Sequence, residues 1–405
     1  MKSNRKQNPL KQHFLICSRK GNRERREDKG KEELMAKKKA AVLIGCNYPG
    51  SKMELKGCVN DVHRMRRSLV DFLGFNDSDI TVLIDTDDSH IQPTGVNIRR
   101  AINRLVRSAN PGDELFVHYS GHGARLPVEP EEDDSTGYHE CIVPTDMNLI
   151  LDEDFRDFAD KLPAGCRITF VADSCNSGGL LENAKEQIGE STNKNITHSE
   201  FVDVPDNVQL HRRAGEEGDI QFTGRALPVA SILEHLKQRA GTEQIYQRSI
   251  RSILIEVFGE AVSPRMLTKS FKQHWREISI GGGRKEEKVI RETGEAKQNK
   301  KGSLSGDFSG PTRRKAILIS ACQSDQNAAD AKPVLRPEGA FGALSNAVQS
   351  ILVERQRSSG DGKIAVSNRE MVMMAREILA KQGFTQRPGL YCSDEVADEP
   401  FIVFS

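Results

Sequence analysis

Short runs of apolar, mostly β-branched residues recur along the chain from residue 40 onwards. Several runs are apolar at consecutive positions, a pattern typical of strands that are covered by helices on both faces. The pattern predicts strands at 40–46, 80–85, 114–120, 167–173, 315–321 and 400–404. Between these runs apolar residues return every three or four positions, which predicts amphipathic helices over 59–73, 95–108, 229–239, 341–355 and 369–382.

This alternation predicts an α/β fold, with a mostly parallel six-stranded sheet sandwiched by helices and a long insertion between strands four and five. Ligands and catalytic groups of such sheets lie just beyond the carboxyl ends of the strands. The insertion, about 183–310, has little strand signal. Its part from 227 to 279 holds enough Leu, Ile and Phe for packed helices, and its polar end from 281 to 310 is expected to be a mobile linker. Residues 1–34 are rich in Lys and Arg and are expected to form a disordered arm, with an alternative start at Met35.

The composition narrows the classes of function. Over 405 residues, 59 Lys and Arg balance 58 Asp and Glu to a net charge of +1, so no global basic field favours nucleic acid or a membrane surface as a partner. No apolar run approaches the roughly 18 residues that span a bilayer. The eight cysteines include no Cys-x-x-Cys pair, and no secretory hydrophobic block precedes them. We therefore expect a reducing compartment, cytoplasmic with the nucleus left open. The expected oligomeric state is a monomer.

The residues that can do chemistry lie at two strand exits. The third predicted strand ends in His118-Tyr119-Ser120-Gly121-His122-Gly123, and the fourth ends in Asp173-Ser174-Cys175-Asn176-Ser177-Gly178-Gly179. His118 is still within its strand and is expected to be structural. His122 lies past the strand end between two glycines, which should leave its imidazole uncovered.

Neighbouring strand exits bring the Cys175 thiol within reach of the His122 imidazole, which can hold the thiol as the thiolate that attacks a carbonyl group. The backbone N–H groups of Gly123 and Cys175 are candidates for stabilising the resulting oxyanion. A lone cysteine is more often a small buried hydrophobe, and we give that interpretation to Cys46, Cys141, Cys166 and Cys392.

The two strand exits together resemble the catalytic signature of the metacaspases, caspase-fold cysteine peptidases of plants, fungi and protists. Further matching motifs are Gly45-Cys46-Asn47-Tyr48-Pro49-Gly50, Leu55-Lys56-Gly57-Cys58-Val59-Asn60-Asp61, Glu140-Cys141-Ile142-Val143-Pro144, Ser320-Ala321-Cys322-Gln323-Ser324-Asp325-Gln326 and Pro388-Gly389-Leu390-Tyr391-Cys392. The resemblance implies that His122 is the base, that Cys175 is the nucleophile, and that peptide bonds are hydrolysed through a thioester. The long insertion resembles that of the type II, plant-like subgroup.

The resemblance also implies a division of the chain. It comprises a basic arm at 1–35, a large-subunit-like catalytic region at 36–225, an autoinhibitory linker at 226–310 and a small-subunit-like region at 311–405. One departure lies beside the nucleophile, because the family usually has His where this chain has Asn176. A catalytically weak homologue that acts as a scaffold therefore stays open as an alternative.

Three aspartates are candidates for the pocket that receives the side chain before the cut bond. Asp61, Asp173 and Asp325 each follow a strand exit or a nearby loop at the active edge, and a desolvated guanidinium needs carboxylate partners. Metacaspases carry acids at similar positions and cleave after Arg or Lys, so protein substrates with Arg or Lys before the cut are the expected partners. The alternative is a structural role, with Asp173 capping the turn that follows it.

Two acidic clusters follow His122, at 131–134 and 152–154. Clustered carboxylates are ligands that Ca²⁺ prefers, but no EF-hand loop is present, and a solvated acidic loop is the alternative. Since most metacaspases are activated by calcium, the resemblance implies Ca²⁺ as an activator without a catalytic role. Its candidate ligands are Asp133, Asp134, Asp152, Glu153 and Glu182.

The stretch Thr223-Gly224-Arg225-Ala226-Leu227-Pro228 resembles the self-cleavage point of short-linker type II metacaspases. Arg225 follows a glycine, which we expect to give backbone freedom, and precedes a small residue. We therefore expect the uncut segment to occupy the active site as a pseudosubstrate, and calcium to trigger cleavage after Arg225. The alternative is that Arg225 is one exposed arginine among others, which are Arg212, Arg213 and Arg239.

The remaining hypothesis is that the protein is a nucleotide-binding switch. Residues 45–52 follow a strand and nearly match the phosphate-binding loop G-x-x-x-x-G-K-[ST], but Ser51 and Lys52 stand in swapped order. The side chains that should reach phosphate and Mg²⁺ are therefore each displaced by one position.

Overall fold

The structure of the chain is a computed structural model. It describes residues 37–128, 137–181, 184–189, 210–214, 218–240, 250–267, 315–323, 326–359 and 366–403. The predicted arm at 1–34 and the polar tract at 281–310 lie outside these residues. All the elements named below belong to one compact unit that begins at Lys39.

In chain order the strands are β1 (Lys39–Gly45), β2 (Ile80–Ile84), β3 (Glu114–Ser120), β4 (Gly123–Pro127), β5 (Tyr138–Ile142), β6 (Ile150–Leu151), β7 (Arg167–Asp173), β8 (Glu186–Ile188), β9 (Leu210–Ala214), β10 (Gly218–Gly224), β11 (Lys315–Ser320), β12 (Ala329–Pro333), β13 (Phe341–Gly342) and β14 (Gly389–Tyr391). The α-helices are α1 (Cys58–Leu73), α2 (Gly95–Arg107), α3 (Asp152–Asp160), α4 (Val229–Ala240), α5 (Ile250–Phe258), α6 (Ala343–Ser358), α7 (Asn368–Gln382) and α8 (Asp394–Ala397).

A seven-stranded sheet in the order β2-β1-β3-β7-β11-β14-β8 forms the centre of the fold. The pairs β2–β1, β1–β3, β3–β7 and β7–β11 are parallel, which confirms the α/β class and the first five predicted strands. Successive residues of β1 enter opposite cores, since Val42 and Ile44 pack with α2 while Ala41 and Leu43 pack with α1 and α6. Consecutive apolar positions therefore do mark strands that are covered on both faces.

The sixth predicted strand, 400–404, is wrong. Phe401 and Ile402 are buried, as their apolar character requires, but the Arg167 side chain donates hydrogen bonds to the carbonyl groups of Pro400 (2.6 Å) and Phe401 (3.0 Å). A guanidinium thus occupies the acceptors that a neighbouring strand would need. The sheet continues through β14 and β8, which are antiparallel and only three residues long each.

The expectation of little strand structure in the insertion is also wrong. β8, β9 and β10 lie within it, and β10 pairs antiparallel with β12 from the C-terminal block of the chain. The four-stranded sheet β13-β12-β10-β9 therefore attaches the insertion to the edge where the active-site loops lie. α4 and α5 form in the segment that was predicted to hold packed helices. The acidic cluster at 152–154 begins α3, a helix that was not predicted.

Candidate active site

The parallel register of β3 and β7 brings the two catalytic candidates to one edge of the sheet. Ser120 pairs with Asp173 at the ends of these strands, and His122 and Cys175 each follow two residues later. Contrary to expectation the imidazole is not uncovered, because His122 is 3% exposed and Cys175 is 0% exposed. The covering segment comes from the insertion, whose Leu227 N–H donates to the Gly123 carbonyl at 2.9 Å.

The His122 ring is held in a state suited to a base. Nε2 lies 2.8 Å from the Met53 carbonyl oxygen, and since a carbonyl only accepts, Nε2 carries the ring proton. Nδ1 is buried and has no hydrogen-bond partner among the described residues, so it is free to accept a proton. Burial lowers the pKa of His122, which favours this neutral form. The Tyr48 hydroxyl fixes the residue further by accepting the His122 N–H at 3.0 Å.

The Cys175 thiol faces the loop before β12. Its Sγ accepts the Ala328 N–H at 2.9 Å and lies 3.7 Å from Asn327 Oδ1. Asn176 takes the left-handed backbone conformation with φ 51°, which Asn adopts more easily than most residues, so the departure from the family pattern fits the sharp turn here. Gly123 approaches so closely that an added Cβ would lie 1.8 Å from the Cys175 carbonyl oxygen, which no other residue could allow.

The side chain of Arg225 fills a fully buried acidic pocket. Nη2 lies 3.2 Å from Asp61 Oδ2 and 3.0 Å from Asp330 Oδ1, and Nη1 lies 3.2 Å from Asp173 Oδ1. Nη1 also donates to Ser120 Oγ at 2.9 Å. These carboxylates raise the pKa of Arg225 well above its ordinary value, so the guanidinium is charged in spite of its burial.

Two of the three predicted pocket aspartates thus contact Arg225, and the third, Asp325, lies outside the described residues. Asp173 does act as a cap, but of a distant helix, because its Oδ2 accepts the Ser345 N–H in the first turn of α6 at 2.7 Å. Asp330 was missed. It stands only four residues beyond the motif that ends at Gln326, and this proximity was the available signal.

The backbone around Arg225 is extended across the cleft. β10 pairs with β12 up to Gly224 opposite Ala329, the Arg225 N–H donates to the Ala328 carbonyl at 3.0 Å, and the Arg225 carbonyl accepts the Gly123 N–H at 2.9 Å. Gly224 was predicted to give the backbone freedom. It lies instead in a strand and does not adopt the left-handed φ that only glycine takes easily. The carbonyl of the Arg225–Ala226 bond therefore receives one of the two N–H groups that were predicted to stabilise an oxyanion.

Comparisons with known proteins agree with this geometry. A profile described as the metacaspase, peptidase C14 domain matches residues 38–184, which include both catalytic candidates. The chain is 44% identical to Metacaspase-4 of Arabidopsis thaliana, covering 90% of this chain and 99% of that one. It is 45% identical to Metacaspase-6 of the same plant, covering 91% and 100%. The chain belongs to the metacaspase family, in its plant-like type II group.

As a metacaspase, the protein is a cysteine-type peptidase that acts on proteins. A crystal structure of a protein from Geobacter sulfurreducens resembles it with a TM-score of 0.46 and 16% identity, covering 90% of this chain and 98% of that one.

The structure describes two of this metacaspase's five candidate calcium ligands. Asp152 and Glu153 begin α3, where Asp152 Oδ1 accepts the Glu153 N–H at 2.8 Å and Glu153 Oε1 lies 3.3 Å from Arg156 Nη2. Burial raises the pKa of Glu153. Asp133, Asp134 and Glu182 lie outside the described residues, and the part of the chain that is described holds no group of three or more metal-ligating side chains.

The remaining candidates have structural roles in this metacaspase. His118 is fully buried, its Nε2 lies 2.9 Å from Ser345 Oγ, and burial lowers its pKa to about 3, so it stays neutral. The four cysteines interpreted as small hydrophobes, Cys46, Cys141, Cys166 and Cys392, are all buried.

The segment 45–52 does not form a phosphate-binding loop. Asp85 accepts the N–H groups of Asn47 and Tyr48 at 2.9 and 2.8 Å, and a carboxylate there would repel a phosphate. The Lys52 side chain pairs with Glu234 at 3.0 Å and is 86% exposed. No described helix of this metacaspase is long and apolar enough to cross a membrane.

Proposed function

We propose that this metacaspase cleaves peptide bonds after Arg or Lys and that its own Arg225–Ala226 bond is the first one cut. One observation carries the proposal: the Arg225 guanidinium lies among Asp61, Asp173 and Asp330 while its carbonyl accepts the Gly123 N–H. A side chain held by three carboxylates and a carbonyl aligned with a backbone donor are what a bound substrate requires.

The proposed reaction uses groups that the fold already orients. His122 Nδ1 takes the thiol proton, and Cys175 Sγ forms a bond to the carbonyl carbon of Arg225 while the oxygen, now negatively charged, is held by the Gly123 N–H. The C–N bond to Ala226 then breaks as His122 returns the proton to the leaving amine. Water, deprotonated by His122, hydrolyses the thioester and restores the thiol.

The same contacts support a basic specificity. An aspartate side chain in this pocket would place a fourth carboxylate beside three others without a counter-charge, which is strongly unfavourable in a buried site. Arg suits the pocket because its guanidinium presents several donors in one plane, and three of the contacts on the two terminal nitrogens go to different aspartates. Lys brings the same charge on a single ammonium.

We also propose that calcium activates the enzyme, with Asp152 and Glu153 among the groups that would hold it. Both supply the oxygen ligands that calcium prefers, and an activator bound there would supply charge neutralisation and not catalysis. A short chain of contacts leads from this site to the nucleophile: Asp152 Oδ2 accepts the Glu140 N–H at 3.3 Å, and Glu140 Oε2 accepts the Gly179 N–H at 2.6 Å, in the loop that follows Cys175. This connection supports a coupling between the acidic turn and the catalytic loop.

Active-site labelling tests the proposal. The purified protein, incubated with calcium, should bind covalently to a peptide that ends in arginine and carries a cysteine-directed reactive group. Cys175→Ala should not be labelled, and a probe that ends in aspartate should not label the wild type. Because Cys58 lies beside the acidic pocket, Cys58→Ala is the control, and it should still be labelled. Labelling that persists in Cys175→Ala would contradict the assignment, and a protein that no probe labels would favour the scaffold alternative.

A further inference from the structure

We propose that Phe384 forms a second specificity site, which receives an aromatic side chain three residues before the basic residue. This inference rests on the proposed cleavage after Arg225. Counting back from that bond, Phe222 occupies the position concerned. The ring centroids of Phe222 and Phe384 lie 4.9 Å apart with an interplanar angle of 67°, the edge-to-face arrangement that aromatic pairs prefer.

The position of Phe222 is fixed by the register of β10, the strand that leads to the proposed cleavage site. β10 pairs with β12 over five consecutive residue pairs, from Ile220 opposite Pro333 to Gly224 opposite Ala329. Phe222 stands opposite Ala331, which is fully buried. An extended peptide that follows the same ladder would present its corresponding side chain at the same place, because the backbone hydrogen bonds are independent of sequence.

The loop that carries Phe384 is attached to β12, the strand that pairs with β10. Phe384 follows Gly383, whose left-handed conformation ends α7, and its N–H donates to the Leu379 carbonyl at 2.9 Å. Two residues further on, buried Gln386 accepts the Ala329 N–H at 2.8 Å and donates to the Ala321 carbonyl at 3.0 Å. The loop that carries Phe384 is therefore attached to both β12 and the exit of β11, and the site is formed by the scaffold.

The position next to the cut arginine offers a contrast. A Cβ added at Gly224 would meet no atom within 4 Å, so Gly and Ala should be accepted equally at this position. The expected recognition pattern combines an aromatic residue with an Arg or Lys three positions later.

Three peptides test the inference on the calcium-treated, processed enzyme: Phe-Thr-Gly-Arg, Ala-Thr-Gly-Arg and Phe-Thr-Ala-Arg, each followed by the same reporter group. Loss of the ring should lower kcat/KM by roughly tenfold, whereas the Gly to Ala change should alter it by less than about twofold. In Phe384→Ala the preference for Phe over Ala should fall to about twofold or less. Phe72→Ala is the matched control, since Phe72 is also a partly buried ring on the same core, and it should keep the full preference.

The outcomes separate the two proposals. Cleavage of none of the three peptides would refute cleavage after Arg, and the Phe384 site with it. Equal cleavage of all three would leave basic specificity intact and overturn the Phe384 site alone. A Phe384→Ala variant that retains the tenfold preference, or a Phe72→Ala variant that loses it, would likewise show that the Phe384 ring does not recognise the substrate.

Discussion

Asp61 is the residue whose protonation controls how strongly an arginine side chain is held. It is fully buried, and desolvation raises its pKa to about 7 even though the neighbouring Arg225 guanidinium lowers it. Asp61 is therefore neutral below that pH and negatively charged above it. With calcium kept saturating, the rate of self-cleavage after Arg225, which already occupies the pocket, should rise with pH from 6 to 8, by up to about tenfold per pH unit below the pKa. A profile that is flat across this range would contradict the role of Asp61.

The three carboxylates around the guanidinium should each be required for cleavage after Arg. Removing one member of a buried ion pair costs roughly 3–5 kcal/mol, so Asp61→Ala should lower kcat/KM by more than about 100-fold. Asp330→Asn is the sharper variant, because it keeps the shape of the side chain and one acceptor oxygen, for either the Lys56 or the Gly57 N–H, while the charge is lost. The exposed Asp394→Asn serves as control. Efficient cleavage after Asp by the wild type would exclude an acidic pocket.

Elements that are long and periodic could be predicted from the sequence. The predicted ends of α1, α2 and α7 lie within one residue of the observed ends, because each helix buries one apolar face against the sheet. Shorter elements could not be predicted. β14 has three residues and no room for a period, and β10 is defined by its pairing with β12, more than 100 positions away in the chain. Within the predicted strand at 400–404 only Phe401 and Ile402 are buried, and the Arg167 side chain occupies the carbonyl groups of Pro400 and Phe401 that a neighbouring strand would need.

The junction of β13 and α6 forms one wall of the acidic pocket, which makes Gly342 a specific test at the level of elements. A Cβ there would lie 2.3 Å from Asp173 Oδ2 and 2.6 Å from Arg225 Nη1. Gly342→Ala should therefore weaken binding of arginine and lower kcat/KM by at least about tenfold. Gly339→Ala is the matched control, because its added Cβ would meet no atom within 4 Å. Equal activity of both variants would show that the pocket wall tolerates displacement.

In the whole molecule, the active site is assembled from parts of the chain that are far apart in sequence. His122, Cys175 and Asp173 could be proposed from strand exits, since parallel strands bring their carboxyl ends to one edge. Asp61 lies instead in the first turn of α1, so the expected strand exit or loop was wrong for this residue, and the family resemblance supported it. The role of Asp330 and the strand pairing that holds the linker in place depend on tertiary contacts between β10 and β12, which no local pattern encodes. The self-cleavage motif around Arg225 did predict that the uncut linker occupies the active site, but the depth to which it buries His122 and Cys175 depends on this pairing.

Calcium is expected to release the state in which the uncut linker covers the active site. Excess chelator should abolish both self-cleavage and peptide cleavage near neutral pH, and calcium should fail to restore them in acid because ligand carboxylates must be ionised. Asp152→Asn should raise the calcium concentration needed for half-maximal activity by at least about tenfold. Asp157→Asn, on the same helix and paired with Arg265, should leave that concentration unchanged. Full activity in chelator would refute activation by calcium.

The central claim is that the active site holds and cuts its own linker after Arg225. The most direct measurement is N-terminal sequencing of the fragments that form when the full-length protein is incubated with calcium, alongside Arg225→Ala and, as control, Arg239→Ala. The wild type and Arg239→Ala should give a new fragment that starts at Ala226, with pieces of roughly 25 and 20 kDa in proportion to their lengths, and Arg225→Ala should stay intact at this bond. A fragment that starts at any other residue, or unchanged processing of Arg225→Ala, would contradict the account.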